Sequence, residues 1–243
     1  MKIRKELIQS IGLTLISRLV GFLRLIVETA LLGLTGITDA YQTAFRLTNF
    51  FRELFGEGAL GSVFTPMHAT CMETHGVKES QNFFWSVTAL SFLCSLLLLI
   101  FLVLNLEGIL NLWMPDLPQK SKRSVLEIAP IMLPYLVCIA TASMFMIMHQ
   151  IKGRFILSSL HPILFSFSVI GIGLWNPTKN YAESLAWGVV CGGILQFSLL
   201  CFTLKYPLPK CSFIRYQLPN LKHLVILLAP ILASLVVNRT NRL

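Results

Sequence analysis

Arg18, Arg24, Arg46 and Arg52 fall within the first two apolar stretches of the chain. A guanidinium at the centre of a membrane-spanning helix costs about 2.5–3.5 kcal/mol on insertion scales. Four of them turned to lipid would cost on the order of 10 kcal/mol. Such groups face a water-filled cavity or acidic partners instead, and a cationic cavity inside a bilayer fits an anionic substrate. The constraint applies because composition places this chain in a membrane. Of its 243 residues 55% are hydrophobic and 13% charged, with mean hydropathy +0.71, whereas soluble domains carry about 25% charged residues. The apolar runs are long and do not alternate, so the sequence predicts an all-α polytopic membrane protein and not a barrel.

The net charge of +9 would point to nucleic acid in a soluble protein. Here the charges lie mostly between apolar runs, where they set orientation, and no nucleic-acid partner is expected. Cys71, Cys94, Cys138, Cys191, Cys201 and Cys211 include no CxxC pair, and most lie in apolar runs, where a thiol acts as a small hydrophobe. The five histidines show no metal-ligand spacing, so neither a metal nor a catalytic role is expected of them. No P-loop, dinucleotide fingerprint or HExxH motif occurs. The basic N-terminus lacks a small-residue cleavage site, so the first apolar run reads as a retained span.

A span needs about 20 largely apolar residues. Six are expected, as one lobe over residues 1–204: about Leu7–Leu34, Asp39–Cys71, Phe83–Leu106, Val125–Met148, Phe155–Trp175 and Tyr181–Leu204. Pro115, Pro118, Lys120, Lys122 and Arg123 read as an ordinary loop before the fourth. Residues 205–220 read as a cytoplasmic connector, and 221–243 as the start of a seventh helix that stops short. Lys2, Arg4, Lys5, Lys78, Lys152, Arg154, Lys205, Lys210, Arg215 and Lys222 fall on one set of sides. Lys120, Lys122, Arg123 and Lys179 fall on the other. The richer side includes the N-terminus, which is therefore expected in the cytoplasm.

At about 100° per residue, Asp39, Gln42, Arg46, Asn49, Glu53 and Glu57 share a stripe of the second span. Tyr41, Ala44, Phe45, Phe51 and Phe55 lie opposite, turned to lipid or neighbouring helices. Arg24 and Glu28 are i,i+4 neighbours that can pair, as can Arg46 and Glu53, so these two arginines divide evenly between a structural and a functional reading. Arg18 and Arg52 have no such acid at helical spacing. A guanidinium matches phosphate oxygens in a bidentate fork and stays charged, which makes Arg18, Arg24 and Arg52 the candidates for holding phosphate. Arg18 and Arg24 do not share a face on a straight helix, and Gly21 between them would permit a bend.

The run Ser17-Arg-Leu-Val-Gly-Phe-Leu-Arg24 is followed by Thr38-Asp-Ala-Tyr41, then Ala44-Phe-Arg-Leu-Thr-Asn49, Arg52, Phe55-Gly-Glu-Gly-Ala-Leu60 and Phe64-Thr-Pro66. This order resembles the MurJ (MviN) family of lipid II flippases, within the multidrug/oligosaccharidyl-lipid/polysaccharide exporter superfamily. The resemblance covers nearly the whole chain and is strongest over residues 17–66. It implies one lobe of a two-lobed transporter, not an enzyme. Its substrate would be lipid II, the undecaprenyl-pyrophosphate-linked peptidoglycan precursor, carried from the inner to the outer leaflet of the bacterial inner membrane. Alternating access would be driven by a monovalent ion or the membrane potential, with no other cofactor. By matching position, Arg24 and Arg52 correspond to family arginines that bind the pyrophosphate, with Arg18 supporting them. Asp39 matches an acid near the outer end of the cavity, Glu57 an acid of the gate, and Ser17, Gly21 and Asn49 motif positions.

The chain departs from the family pattern in three ways. Leu25 stands where the family has Asp, which leaves Glu28 to substitute as a partner for a cavity arginine. Thr48 replaces a common proline. Ala229-Pro-Ile-Leu-Ala233 and Val236-Val-Asn-Arg239 resemble the start of the family's seventh helix, and nothing of a second lobe follows. The expectation is a truncated, frameshifted or split form whose C-terminal lobe is missing or separately encoded. An exporter of another polyprenyl-linked saccharide and an inert membrane fragment remain the alternatives.

Overall fold

In a computed structural model of the protein, the described residues are 2–33, 36–52, 59–115 and 117–204. Every regular element among them is a helix. The order is α1 (Lys2–Leu32), α2 (Gly36–Arg52), α3 (Ala59–Leu104), α4 (Leu106–Trp113), α5 (Gln119–Met132), α6 (Tyr135–Ile151), α7 (Phe155–Trp175) and α8 (Tyr181–Leu204). Among the described residues, three helices are long and apolar enough to cross a membrane, and the bent α5–α6 pair makes a fourth. The all-α membrane architecture is as expected. The connector and the seventh helix expected over 205–243 lie outside the described residues.

The fifth expected span falls where the sequence puts it because clear local stops bound it, and α8 begins where the sixth does. Gly153, with φ 72°, turns the chain ahead of α7. Asn176 ends α7 in the left-handed conformation, a common way to close a helix. Of the second expected span, residues 39–52 lie in α2 and 59–71 in the first arm of α3, and 53–58 lie outside the described residues. The third expected span is the second arm of the same long helix. The arms meet at Gly76, whose φ 83° and ψ 177° are open essentially to glycine alone.

The fourth expected span is α5 and α6 together, bent by 41°. Leu133 and Pro134 separate the two helices, since proline supplies no N–H and crowds the preceding turn. Lys120, Lys122 and Arg123 form the first turns of α5 and not a loop. Lys122 Nζ donates to Asn111 Oδ1 of α4 at 2.9 Å, a short helix the sequence reading did not separate from the loop. At the opposite turn, Arg154 Nη1 donates to the Thr203 carbonyl at the end of α8, 3.2 Å away. Burial, with Arg154 beside it, holds the Lys152 ammonium below its ordinary range.

The core forms where α2, α5, α6, α7 and α8 converge, around Tyr41, Phe45, Met132, Tyr135, Phe165 and Val189. The closest approach is that of α7 to α8, and glycine sets it. A Cβ at Gly188 would stand 2.8 Å from Val169 Cα, and one at Gly192 would stand 2.7 Å from Phe165 Cδ2. Ser168 Oγ donates to the Gly188 carbonyl across the same contact at 3.1 Å. The small-xxx-small spacing in the sixth expected span therefore serves close packing, as its spacing indicates. Without the hydrophobic effect between helices in lipid, contact of this kind holds a bundle together.

Gly188→Leu is expected to cost about 1–3 kcal/mol through overpacking. It should lower the thermal unfolding midpoint in detergent. Gly171→Leu on α7, where a Cβ meets nothing within 4 Å, should leave the midpoint nearly unchanged.

Candidate functional site

The α-helical repeat brings Ser17, Gly21, Arg24 and Glu28 to one face of α1. Val20, Glu28 and Leu32 on or beside that face are buried, while Leu15, Leu19, Phe22 and Leu25 are exposed. The face rests on α7, and α1 runs helically through Gly21. Arg18 lies about 120° around the helix from Arg24 and is exposed. The two arginines therefore do not share a face.

On α2 the expected division into two faces is present over the described residues. Asp39 and Arg46 are exposed and Gln42 and Asn49 half-buried, whereas Tyr41, Ala44, Phe45 and Thr48 are buried. The aromatic face turns inward to the bundle and to α1, not to lipid. Thr48 donates its hydroxyl to the Ala44 carbonyl at 2.9 Å and closes a local bond on that face. Arg52 is the last described residue of α2, and its side chain, like Glu53 and Glu57, lies outside the described residues. The pairing of Arg46 with Glu53 and the convergence of Arg52 on Arg24 therefore lie outside them as well.

The acid and base of α1 meet as their spacing indicates. Arg24 Nε lies 3.5 Å from Glu28 Oε1. Glu28 is 1% exposed, and α2 holds it from the other side. Tyr41 Oη donates to Oε1 and Gln42 Nε2 to Oε2, both at 3.2 Å. A buried carboxylate needs such donors, because burial of an unpaired charge costs several kcal/mol. Arg24 is otherwise enclosed by rings. Its guanidinium carbon stands 4.6 Å from the Phe45 ring centre and 5.2 Å from that of Phe165. The two rings stack on each other at 6.3 Å.

Arg24 therefore does not stand in open water. Its side chain is 16% exposed and meets the acidic partner that its i,i+4 spacing offers. Its hydrogen-bonding capacity is nonetheless unmet: Nε and Nη1 are both sealed from solvent without a hydrogen-bond partner. Ring faces and a carboxylate 3.5 Å away offset the charge without saturating the fork.

Phe165 and the acceptor-holding roles of Tyr41 and Gln42 were not visible in the sequence. Phe165 is 141 positions from Arg24 along the chain, and only the docking of α1 on α7 joins them. His149 and His161, by contrast, pack. His149 Nε2 donates to the Leu200 carbonyl at 3.1 Å. Gln196 Nε2 bonds His161 Nδ1 at 3.0 Å. No group of three or more metal-ligating side chains occurs among the described residues.

The family model described as lipid II flippase MurJ matches residues 7–243. The chain belongs to the lipid II flippase MurJ family. A relative from Rhizobium meliloti (strain 1021), named a probable lipid II flippase MurJ, is 34% identical over 229 residues, covering 90% of this chain and 43% of the relative. A relative of the same name from Bdellovibrio bacteriovorus is 33% identical over 222 residues, covering 83% of this chain and 40% of its own length. A solved structure named lipid II flippase MurJ, inward closed conformation, superposes with TM-score 0.80 at 26% identity, covering 97% of this chain and 49% of that one. A transporter of the MOP superfamily from Pyrococcus furiosus shares the fold, with TM-score 0.76 at 15% identity over 96% of this chain and 53% of that one. The chain thus spans about half the length of the MurJ relatives it matches, and the match begins close to its N-terminus.

Phe45→Leu removes one face of the Arg24 enclosure. It is expected to lower stability by about 1–2 kcal/mol, from the lost cation–π contact together with the lost ring packing. Thermal unfolding in detergent measures it, and Phe92→Leu on the exposed surface of α3 is the matched control.

Proposed function

We propose that the chain forms the N-terminal lobe of a lipid II flippase. Its substrate is the undecaprenyl-pyrophosphate-linked peptidoglycan precursor, and the transfer runs from the inner to the outer leaflet of the bacterial inner membrane. The observation that carries this reading is Arg24: a guanidinium enclosed in an apolar bundle, with two buried nitrogens left without acceptors. A diphosphate offers the oxygens that such a fork binds in pairs. Family membership supplies the class of lipid to which that diphosphate belongs.

The roles follow from position. Arg24 and Arg52 bind the pyrophosphate and Arg18 supports its entry. Asp39, Glu57, Asn49, Ser17, Gly21, Arg46 and Glu53 shape the cavity and its gate. The N-terminus lies in the cytoplasm, on the side rich in lysine and arginine. A second lobe, of the size the relatives carry beyond the matched region, completes the cavity. Rocking of one lobe against the other exposes the site first to one face of the membrane and then to the other. A monovalent ion or the membrane potential drives the cycle. No bond is made or broken, so the activity is transport and not catalysis.

The test is growth. This chain, supplied with the second lobe of its Rhizobium meliloti relative, should sustain cells depleted of their own flippase. Arg24→Ala and Arg52→Ala should each abolish that growth while membrane insertion stays normal. Full growth with either substitution would remove that arginine from pyrophosphate binding. Failure of the unsubstituted chain, correctly inserted, would point to a different polyprenyl-linked saccharide.

A further inference from the structure

The acid beside Arg24 is anchored to the wrong helix for a simple partner. Both carboxylate oxygens of Glu28 accept from α2, Oε1 from Tyr41 and Oε2 from Gln42, at 3.2 Å each. Its contact to Arg24 Nε, at 3.5 Å, is longer than a charge-assisted hydrogen bond. Glu28 is 1% exposed and Tyr41 0%, so the two bonds to α2 that hold the carboxylate are shielded from water. Arg24 lacks any such tie. It rests against two rings and keeps two nitrogens without acceptors.

We propose that Glu28 is a displaceable counter-ion: it shields Arg24 while the site is empty, stays on α2 when a diphosphate draws the guanidinium away, and recaptures it when the lipid leaves. This rests on the reading of Arg24 as a pyrophosphate ligand. The electrostatic consequence is specific. A diphosphate on Arg24 sits within a few ångströms of a fixed negative charge, and like charges at that range in a low-dielectric setting repel strongly. Glu28 therefore weakens binding and speeds release. Tyr41 and Gln42 are positioning residues. Each hydrogen bond that they give Glu28 is one that the carboxylate does not seek from Arg24.

Opposite signs for neighbouring substitutions follow. Glu28→Gln keeps size and an acceptor but removes the competing charge. Tyr41→Phe removes one anchor, and the carboxylate then closes on Arg24. The measurement is binding of farnesyl diphosphate, a short prenyl diphosphate, to the full chain in nanodiscs. Glu28→Gln should bind it about threefold to tenfold more tightly than the unsubstituted chain, a range set by what partly buried ion pairs contribute. Tyr41→Phe should bind it more weakly, by about threefold. Glu28→Asp, which keeps the charge, should remain near the unsubstituted affinity. A purely structural Glu28 would make Glu28→Gln and Tyr41→Phe both weaken binding, and that result overturns the proposal. Arg24→Ala separates the two readings. If it abolishes binding while Glu28→Gln fails to tighten it, only the counter-ion role falls. If Arg24→Ala leaves binding unchanged, the pyrophosphate reading falls with it.

Discussion

A permanently charged guanidinium has to be held inside an apolar helical bundle, and the arrangement around Arg24 is how this chain does so. Three unlike interactions share the task. Glu28 supplies an opposite charge from the next turn of α1. Phe45 of α2 and Phe165 of α7 supply ring faces. Tyr41 and Gln42 satisfy the carboxylate, so that it does not become a second unpaired charge. Any one of these alone would leave an uncompensated polar group in a medium of low dielectric. Together they leave the arginine tolerated but under-bonded, with two buried nitrogens that lack a hydrogen-bond partner.

The rest of the lobe makes that arrangement possible. α1 can place Arg24 over Phe165 only because α7 offers it a face to rest on. α7 is fixed in turn by α8, which approaches so closely at Gly188 and Gly192 that a Cβ at either would overlap Val169 or Phe165. The glycines of α8 and the ring beside Arg24 thus belong to one continuous contact. Tyr135 at the start of α6 joins it, with its ring 5.1 Å from that of Phe165. Packing in the membrane depends on such close, shape-dependent contact, so a small change in α8 would be felt at the charged pair.

Much of this was legible from local pattern. α7 matched its expected limits and α8 its expected start because each apolar run begins after turn residues. The Arg24–Glu28 pair followed from helical spacing, and the buried face of α2 from its periodicity. The misreadings also have physical causes. Phe83–Leu106 read as a span of its own, whereas it is one arm of a long helix whose earlier arm meets it at Gly76, a turn that hydropathy does not show. The basic cluster at Lys120–Arg123 read as loop from its charge, although charge is compatible with the first turns of a helix. Tyr41 read as part of an aromatic face turned to lipid or neighbouring helices, and the bond its hydroxyl gives a carboxylate on α1 was not visible in that pattern. Phe165 could not be found at all from the sequence, because its role exists only once α1 lies on α7.

The central claim is that Arg24 persists in this bundle as a ligand for a lipid-borne diphosphate. The most direct measurement is solid-state NMR of the chain in bilayers with bound undecaprenyl pyrophosphate, using arginine labelled with nitrogen-15 and reading phosphorus–nitrogen dipolar coupling. The account predicts a direct phosphorus–guanidinium contact that disappears in Arg24→Lys. A bound lipid whose phosphorus shows no coupling to any arginine, or a coupling unaltered by Arg24→Lys, would contradict it.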